Sequence, residues 1–251
     1  MSDRPIGVKE HAGIRYLFFS AEWIQGAMRI QHPNSLELAY TREMMTGLLM
    51  RDPPWPKNAL MIGLGAGSLA KFLYHQFPDT QITVVEINPQ VEIIARMYFK
   101  LPDDPSRLRI LIDDGVKYVL SSESSFDYIL VDGFDENGLA GELDTEPFYL
   151  ACRARLSADG LLSVNLLGRN RGFAASKERI AKAFDGQAFI FPSCDSGNVI
   201  AFARGQNAVK DSLDELLSRA QALYKKTGLN LVPTVQRLQK ESCLTRNLLS
   251  F

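Results

Sequence analysis

Two stretches decide the fold: Met61-Ile62-Gly63-Leu64-Gly65-Ala66-Gly67-Ser68 and, one strand further on, Val84-Val85-Glu86-Ile87-Asn88-Pro89. The apolar run Ala59–Ile62 predicts a buried strand that ends at the glycines, and a helical pattern follows them. Glycines let the backbone turn sharply and approach a ligand that a Cβ atom would block. Glu86 ends the next predicted strand, where a carboxylate can accept hydrogen bonds from ribose hydroxyls.

The spacing of the glycines favours a nucleoside over a dinucleotide. A dinucleotide fingerprint has glycine at its sixth position, and this loop has Ser68 there. A turn with a purely structural role is the alternative. The candidate nucleoside-binding residues are Gly63, Gly65, Gly67, Glu86 and Ile87.

Strand and helix patterns alternate along most of the chain. Further strands are predicted at Gln81–Ile87, Leu108–Ile112, Tyr128–Val131 and Leu161–Leu166, with a closing pair at Ala188–Phe191 and Asn198–Ala203. Helices are predicted at Ser68–Gln76, Pro89–Tyr98, Leu143–Leu156 and Phe173–Phe184. This alternation predicts an α/β fold with a Rossmann-like, doubly wound, mainly parallel sheet.

Three regions are expected. Residues 1–52 show short strands at Tyr16–Phe19 and Ala27–Ile30, then a helix at Leu38–Met50. The prolines between Asp52 and Pro56 break any helix and mark a boundary. Residues 53–205 form the nucleoside-binding catalytic domain, and residues 206–251 form an amphipathic helical tail for packing or oligomer contacts.

The composition is that of a packed soluble protein, with 251 residues, 46% hydrophobic, and 28 Lys+Arg against 29 Asp+Glu. The formal net charge of −1 argues against nucleic acid or an anionic membrane as a partner. The charge is nevertheless uneven. Between Glu86 and Glu146 there are 14 acidic and 5 basic residues, which favours a small cationic substrate.

The cysteines and histidines predict neither a disulfide framework nor a metal site. Cys152, Cys194 and Cys243 are far apart, as are the three histidines His11, His32 and His75. We expect no signal peptide, no membrane span and a reducing, cytoplasmic location.

Four acids follow predicted strands, where open α/β sheets bind ligands. Asp113 and Asp114, before Gly115, are candidates for contacting the nucleoside, and a helix N-cap is the alternative for either one. Asp132 ends a strand expected beside the glycine-loop strand, and Asp135 follows three residues later. Two carboxylates there suit a cationic amine, although Asp135 also fits a solvated loop.

These motifs resemble the spermidine synthase, or polyamine aminopropyltransferase, family. The resemblance covers Gln25 to Ala203 and depends on the stretches VVEINP, IDDGVKYV and FDYILVDGFD and on the Phe148-Tyr149 helix. It implies that Glu86 binds ribose, Asp114-Gly115 contact adenine, and Gln25 ends a strand over the donor. It also implies that Asp132 takes the proton of the amine and that Asp135 binds the acceptor.

The chain departs from the family at several positions. The family's loop GGGDGG has an Asp that pairs with the ammonium of decarboxylated adenosylmethionine, and this chain has Ala66. The family's YHE or YQE appears as Thr41-Arg42-Glu43, directly after Tyr40, which is our candidate for binding substrate. A family tyrosine falls on Cys194, and a family glutamine corresponds to Asn165.

The resemblance therefore implies a transferase that moves an aminopropyl group from decarboxylated adenosylmethionine to an amine, without a metal, as a homodimer. Because Ala66 would not repel a carboxylate, intact adenosylmethionine and methyl transfer are the alternative. A non-catalytic nucleoside-binding protein is the third hypothesis. The acceptor is left open, since the residues that would select it are among those that differ.

Overall fold

The computed structural model describes residues 6–19, 24–135, 138–168, 172–192, 197–240, 244–245 and 248–251. Its first element is an antiparallel sheet of three strands, β1 (Gly7–His11), β2 (Ile14–Phe18) and β3 (Ile24–Arg29). The strands predicted in this region correspond to β2 and β3, and β1 was not predicted. The predicted helix at Leu38–Met50 is divided into α1 (Ala39–Met44) and a 3-10 helix (Met45–Leu49).

A seven-stranded sheet forms the centre of the protein. Its strands, given in chain order, are β4 (Asn58–Ile62), β5 (Gln81–Glu86), β6 (Leu108–Ile112), β7 (Phe126–Val131), β8 (Leu156–Leu167), β9 (Ala188–Pro192) and β10 (Asn198–Arg204). The spatial order is β6-β5-β4-β7-β8-β10-β9. The first five strands run parallel, and β10 is antiparallel to both of its neighbours. The predicted Rossmann-like, doubly wound, mainly parallel sheet is confirmed.

Helices cover both faces of this sheet. They are α2 (Ser68–Gln76), α3 (Pro89–Phe99), α4 (Gly115–Ser121), α5 (Glu146–Arg155) and α6 (Phe173–Ala183). The predicted helix at Leu143–Leu156 begins later, because a 3-10 helix (Gly141–Asp144) precedes it and Thr145 caps α5. Alternate strand residues face opposite helical layers: Met61 packs with α2 and α3, and Ile62 packs with α4 and α5.

The tail contains helices, as predicted, but it is not helical throughout. It consists of β11 (Lys210–Ser212), α7 (Leu213–Thr227), α8 (Val232–Lys240), β12 (Leu244–Thr245) and β13 (Leu248–Ser250). The three strands form a small antiparallel sheet. The helical tail is confirmed, and its three short strands were not predicted, because strands of two or three residues are too short to show an alternating pattern.

The sheet order brings the ends of β4, β5 and β7 to one edge. Strand β4 lies between the other two, with Ile62 opposite Val85 on one side and Val131 on the other. The glycine loop follows β4, Glu86 is the last residue of β5, and Asp132 follows β7. The topology therefore places the predicted nucleoside-binding and catalytic residues side by side.

Candidate active site

The glycine loop turns directly against the loop after β7. Gly63 has φ +96°, and a Cβ atom there would lie 2.2 Å from the backbone oxygen of Asp132. Gly65 has φ +51°, and its Cβ would lie 2.9 Å from the backbone oxygen of Gln25. Both positions need glycine for conformation and for space. Strand β3 therefore crosses over the loop, which places Gln25 beside it.

Gly67 has a different role from the other two loop glycines. It begins α2 with φ +67° and lies against the side chain of Leu101. It does not line the cavity described below. The turn into α2 explains why a glycine stands at this position. That Gly67 contacts the donor stays a prediction.

Glu86 is buried at the end of β5 and supports the glycine loop. Its Oε2 accepts the Leu64 N–H at 2.9 Å, and its Oε1 accepts the Asn88 N–H at 2.9 Å. Burial raises the pKa of Glu86, and the backbone N–H groups that it accepts oppose that rise. A carboxylate oxygen can accept more than one hydrogen bond, so both oxygens can still receive ribose hydroxyls. Ile87, next in the chain, is 64% exposed at the cavity.

Asp113 and Asp114 differ in position although they are adjacent. Asp114 caps α4, because its Oδ1 accepts the N–H groups of Val116 at 2.8 Å and Lys117 at 3.3 Å. Asp114 and Gly115 line the cavity, so capping and a nucleoside contact are compatible. Asp113 does not line it; its Oδ1 accepts the Asp114 N–H at 2.7 Å.

Asp132 has a hydrogen-bond donor on each carboxylate oxygen. The Tyr40 hydroxyl donates to Oδ2 at 3.1 Å, and Asn165 Nδ2 donates to Oδ1 at 2.8 Å. Asn198 Nδ2 donates in turn to Asn165 Oδ1 at 2.9 Å. Burial raises the pKa of Asp132, and the hydrogen bonds from Asn165 and Tyr40 oppose that rise. The orientation of the Asp132 side chain is therefore fixed by Tyr40 on one oxygen and Asn165 on the other.

Asp135 is exposed and shapes its own loop. Its Oδ1 accepts the Leu139 N–H at 2.8 Å, and its N–H donates to the Leu139 oxygen at 2.9 Å. Asp135 also lines the cavity. Its carboxylate therefore links Asp135 to Leu139, in addition to any contact with an acceptor.

A single cavity of about 1330 Å³ brings most of the predicted site residues together. Its lining includes ten of them: Gln25, Tyr40, Gly63, Gly65, Glu86, Ile87, Asp114, Gly115, Asp132 and Asp135. A volume of this order can hold a nucleoside and a second small molecule. The part of the chain that the structure describes contains no group of three or more His, Cys, Asp or Glu side chains arranged to hold a metal ion.

The residues in Thr41-Arg42-Glu43, which depart from the family pattern, differ in their contacts. Thr41 and Glu43 are buried; the Thr41 hydroxyl donates to the Leu38 oxygen at 2.7 Å, and Glu43 pairs with Arg237 of α8. Tyr40, one residue before Thr41, is the tyrosine that reaches Asp132. Cys194 lies outside the described residues.

Ala66 lies under β3. It is 2% exposed, and a Cβ atom on Gly26 would lie 2.5 Å from the Ala66 Cβ atom. Ala66 also belongs to the cavity lining. The backbone of β3 at Gly26 passes so close to Ala66 that position 66 has room only for a small side chain.

Arg42 and Asn198 line the cavity and were not predicted to bind ligand. Arg42 Nη1 donates to the backbone oxygens of Leu36 at 3.1 Å and Glu37 at 2.7 Å. Its position in Thr41-Arg42-Glu43 was noticed, but an arginine on a short helix gives no sign of which way it points. Asn198 gave no sequence signal, because its place depends on the register between β8 and β10.

The fold and the site define a class. A glycine loop after β4, an acid at the end of β5 and a carboxylate after β7 lie at one edge of a Rossmann-like sheet of the adenosylmethionine-dependent methyltransferase type. The solved structure of human methyltransferase-like protein 13 in complex with SAH has this fold, with a TM-score of 0.68 and 24% identity over 76% of this chain and 93% of that one. No helix in the described residues is long and apolar enough to cross a membrane.

The sequence model described as the Spermine/spermidine synthase domain matches residues 37–166. A polyamine aminopropyltransferase of Neisseria meningitidis is 36% identical over 225 residues, which are 90% of this chain and 85% of that protein. A spermidine synthase solved with the transition-state analogue AdoDATO is 26% identical over 80% of this chain and 74% of that one, with a TM-score of 0.61. This chain belongs to the spermine/spermidine synthase family, and the resemblance inferred from its motifs is confirmed.

Proposed function

We propose that this protein is an aminopropyltransferase that uses decarboxylated adenosylmethionine as donor and a small cationic amine as acceptor. The observation that carries the proposal is the Asp132 carboxylate, held by Tyr40 and Asn165 in the same cavity as Glu86. Family membership supports the same reaction, since the relative from Neisseria meningitidis is named a polyamine aminopropyltransferase.

The donor's nucleoside lies against the edge formed by β4, β5 and β6. Glu86 accepts the ribose hydroxyls, Asp114 and Gly115 contact the adenine, and the exposed Ile87 packs against it. Gln25 covers the donor from β3. These contacts bind the part of the donor that does not react, and they place its sulfonium near Asp132.

The reaction itself needs an amine with a free lone pair. The amine nitrogen attacks the carbon beside the sulfonium and forms the new C–N bond. The electrons of the broken C–S bond stay on sulfur, so the leaving group is the neutral thioether methylthioadenosine. Asp132 accepts a hydrogen bond from the attacking nitrogen and then its proton.

The acceptor approaches from the side of α1 and the loop after β7. Tyr40 and Asp135 line this side of the cavity, and Asp135 can hold a second ammonium of a diamine. The acidic excess between Glu86 and Glu146 favours such a cation over a neutral or anionic acceptor.

The test is product formation with decarboxylated adenosylmethionine and a series of diamines of increasing length. We expect methylthioadenosine and an aminopropylated amine in equal amounts from the wild type. D132N should abolish transfer and keep the affinity for methylthioadenosine. D113N is the matched control, because Asp113 lies beside the site but outside the cavity lining, and it should retain transfer. Binding of methylthioadenosine with no product from any amine would overturn the proposal in favour of a non-catalytic nucleoside-binding protein.

A second candidate function, methyl transfer from intact adenosylmethionine, is favoured by Arg42. This half-buried guanidinium lines the cavity and forms no ion pair with any carboxylate in the described residues. Its remaining N–H groups suit the carboxylate of intact adenosylmethionine. Ala66 neither holds an ammonium nor repels a carboxylate.

Calorimetry with the two donors separates these functions. Stronger binding of decarboxylated adenosylmethionine supports aminopropyl transfer. If intact adenosylmethionine is the donor, R42Q should weaken its binding about tenfold, the scale of a lost charge-assisted contact, and leave the decarboxylated form unaffected. R96Q is the control, since Arg96 pairs with Glu92 and Asp103 on the surface.

We infer a homodimer in the cytoplasm, and a division into residues 1–52, 53–205 and 206–251, from the family resemblance and from the proline cluster at 53–56. Light scattering on the purified protein tests the dimer, and a monomeric mass at micromolar concentration would refute it.

A further inference from the structure

Asn198 lies at the start of β10, on the wall of the cavity, and no motif of the sequence gave it a role. It is 9% exposed and lines the cavity together with Asn165 and Asp132. In the antiparallel register of β8 and β10, Asn198 is opposite Leu167 and Asn165 is opposite Ile200. Residues directly opposite each other share a face, as do residues two apart on a strand. The two asparagines are therefore diagonal neighbours on one face.

The hydrogen bonds among these three residues have a direction. An ionised carboxylate only accepts, so the Asn165 amide nitrogen must face Asp132, as it does at 2.8 Å. The Asn165 carbonyl oxygen then points the other way and needs a donor. Asn198 Nδ2 is that donor, at 2.9 Å.

Asp132 selects which end of the Asn165 carboxamide faces it, because an ionised carboxylate accepts only from the amide nitrogen. The opposite end, the Asn165 oxygen, is then held by Asn198. Without a donor at position 198 this oxygen loses its partner, and the Asn165 side chain can rotate away from Asp132. The residue that holds Asn165 in place therefore lies on β10, outside the pair that it serves.

We propose that Asn198 is a positioning residue for the transfer reaction, acting through Asn165 to hold the Asp132 carboxylate in the orientation that receives the amine proton. This proposal depends on the function proposed above. Asn198 does not itself touch the reacting atoms in this arrangement. Its contribution is to hold the Asn165 oxygen, so that the Asn165 amide stays in place against Asp132.

The surroundings of Asp132 make this effect measurable. Tyr40 on α1 is the titratable group in contact with Asp132 among the described residues, and Asn165 and Asn198 are neutral. Burial raises the pKa of Asp132, and the Asn165 hydrogen bond opposes the rise. Loss of a fixed Asn165 should therefore raise that pKa further and move the acid limb of the rate profile to higher pH.

The experiment compares N198L, which has the same number and branching of side-chain heavy atoms and no donor, with N198Q, which keeps the carboxamide. We expect N198L to lower kcat by up to roughly tenfold, because an Asn165 that is no longer held weakens its own hydrogen bond to the charged Asp132. The acid limb should move to higher pH, and the affinity for methylthioadenosine should stay within about twofold of the wild type, because the nucleoside contacts are untouched. N198Q should recover part of kcat and of the wild-type pH profile.

A second measurement does not depend on turnover. The carboxyl carbon resonance of Asp132, assigned by its loss in D132N, should titrate at higher pH in N198L than in the wild type. A wild-type kcat and an unshifted resonance in N198L would overturn the inference. So would a loss of kcat that is equal at every pH and accompanied by weaker binding of methylthioadenosine. A wild-type protein that forms no product refutes the proposed function instead, whatever the resonance shows.

Discussion

The Tyr40 hydroxyl donates a hydrogen bond to the Asp132 carboxylate, with 3.1 Å between Oη and Oδ2. Tyr40 belongs to α1, 92 positions before Asp132 in the chain, and it directly precedes Thr41, which occupies the position of the family's tyrosine. The burial of Tyr40 and the charge of Asp132 raise the pKa of the phenol well above its usual value. The phenol therefore stays protonated and remains a donor at every pH at which the enzyme would work.

Replacement of Tyr40 by Phe removes this donor and leaves the ring. The hydrogen bond from Tyr40 lowers the pKa of Asp132, so its loss should raise that pKa and move the acid limb of kcat/KM to higher pH. We expect kcat to fall about tenfold at neutral pH. The measurement is the pH profile of aminopropyl transfer from pH 6 to pH 10.

Tyr74 provides a matched control for Y40F. Its hydroxyl donates to Asp104 Oδ2 at 2.9 Å, in a pair that does not line the cavity. Y74F should leave the pH profile of transfer unchanged. Equal pH profiles for Y40F and the wild type would show that the Tyr40 hydroxyl does not affect the pKa of the catalytic group.

Replacement of Glu86 by Gln tests the nucleoside half of the site. The new amide nitrogen would face a backbone N–H, of Leu64 or of Asn88, and one acceptor for ribose would be lost. The affinity for methylthioadenosine, measured by calorimetry, should fall by at least about tenfold. E92Q on the outer surface of α3 is the control and should bind like the wild type. If E86Q also binds normally, Glu86 does not contact the ribose.

The glycine loop gives a prediction about both stability and activity. G63A combines φ +96° with a Cβ atom 2.2 Å from the Asp132 oxygen, so the end of β7 must move. We expect a loss of more than about 2 kcal/mol in the free energy of unfolding, from strain plus the clash. The displacement should also lower kcat, because Asp132 moves with its backbone.

Gly186 allows the cost of a positive φ angle to be measured without a steric clash. It has φ +76°, and its Cβ would meet no atom within 4 Å. G186A should therefore lose only about 1 kcal/mol, the conformational part, and retain kcat. Urea denaturation of both variants gives the two values. If G63A and G186A lose the same free energy, the close approach of Gly63 to Asp132 is not an energetic constraint.

The sequence predicts those parts of the site that depend on strand ends. Gly63 and Asp132 directly follow strands, and Glu86 ends one. Parallel strands bring their ends to one edge, so local patterns were sufficient for the placement of these residues. The residue pattern alone did not decide between Asp113 and Asp114, because the difference depends on which carboxylate caps α4. The family resemblance favoured Asp114, and the structure places Asp114 rather than Asp113 at the cavity.

Other features depend on contacts between distant elements. The register of β8 and β10 brings Asn198 to Asn165, and no periodicity in either strand indicates a polar pair. The close passage of Gly26 over Ala66 explains the small residue in the loop only once β3 is placed. The tail strands β11, β12 and β13 are stabilised by pairing with each other, which a local pattern does not reveal.

Lys71 provides a prediction about pH and stability outside the site. It lies in α2 with 1% of its surface exposed, and its Nζ donates to the Phe99 oxygen at 2.7 Å. Burial, and secondarily the charge of Lys100, lowers the pKa of Lys71 from 10.5 to about 7. The folded state therefore holds this proton less tightly than the unfolded chain does.

The sign of the pH effect follows from that difference. Below pH 7 both states are protonated, and the cost of the buried charge is constant. Between pH 7 and pH 10.5 the folded lysine is neutral while the unfolded one is charged, so stability rises with pH. The slope approaches about 1.4 kcal/mol per pH unit for one proton. Replacement by Met removes this contribution, and with it the rise.

We therefore expect K71M to be more stable than the wild type near pH 6 and to lose that advantage as the pH approaches 10. The measurement is the free energy of unfolding in urea at four or five pH values for both proteins. K182M is the control, since Lys182 lies on the surface and pairs with Glu146, and its curve should run parallel to that of the wild type. A K71M curve that is also parallel to the wild-type curve would show that Lys71 keeps its proton in the folded state, and that its hydrogen bond to Phe99 compensates for its burial.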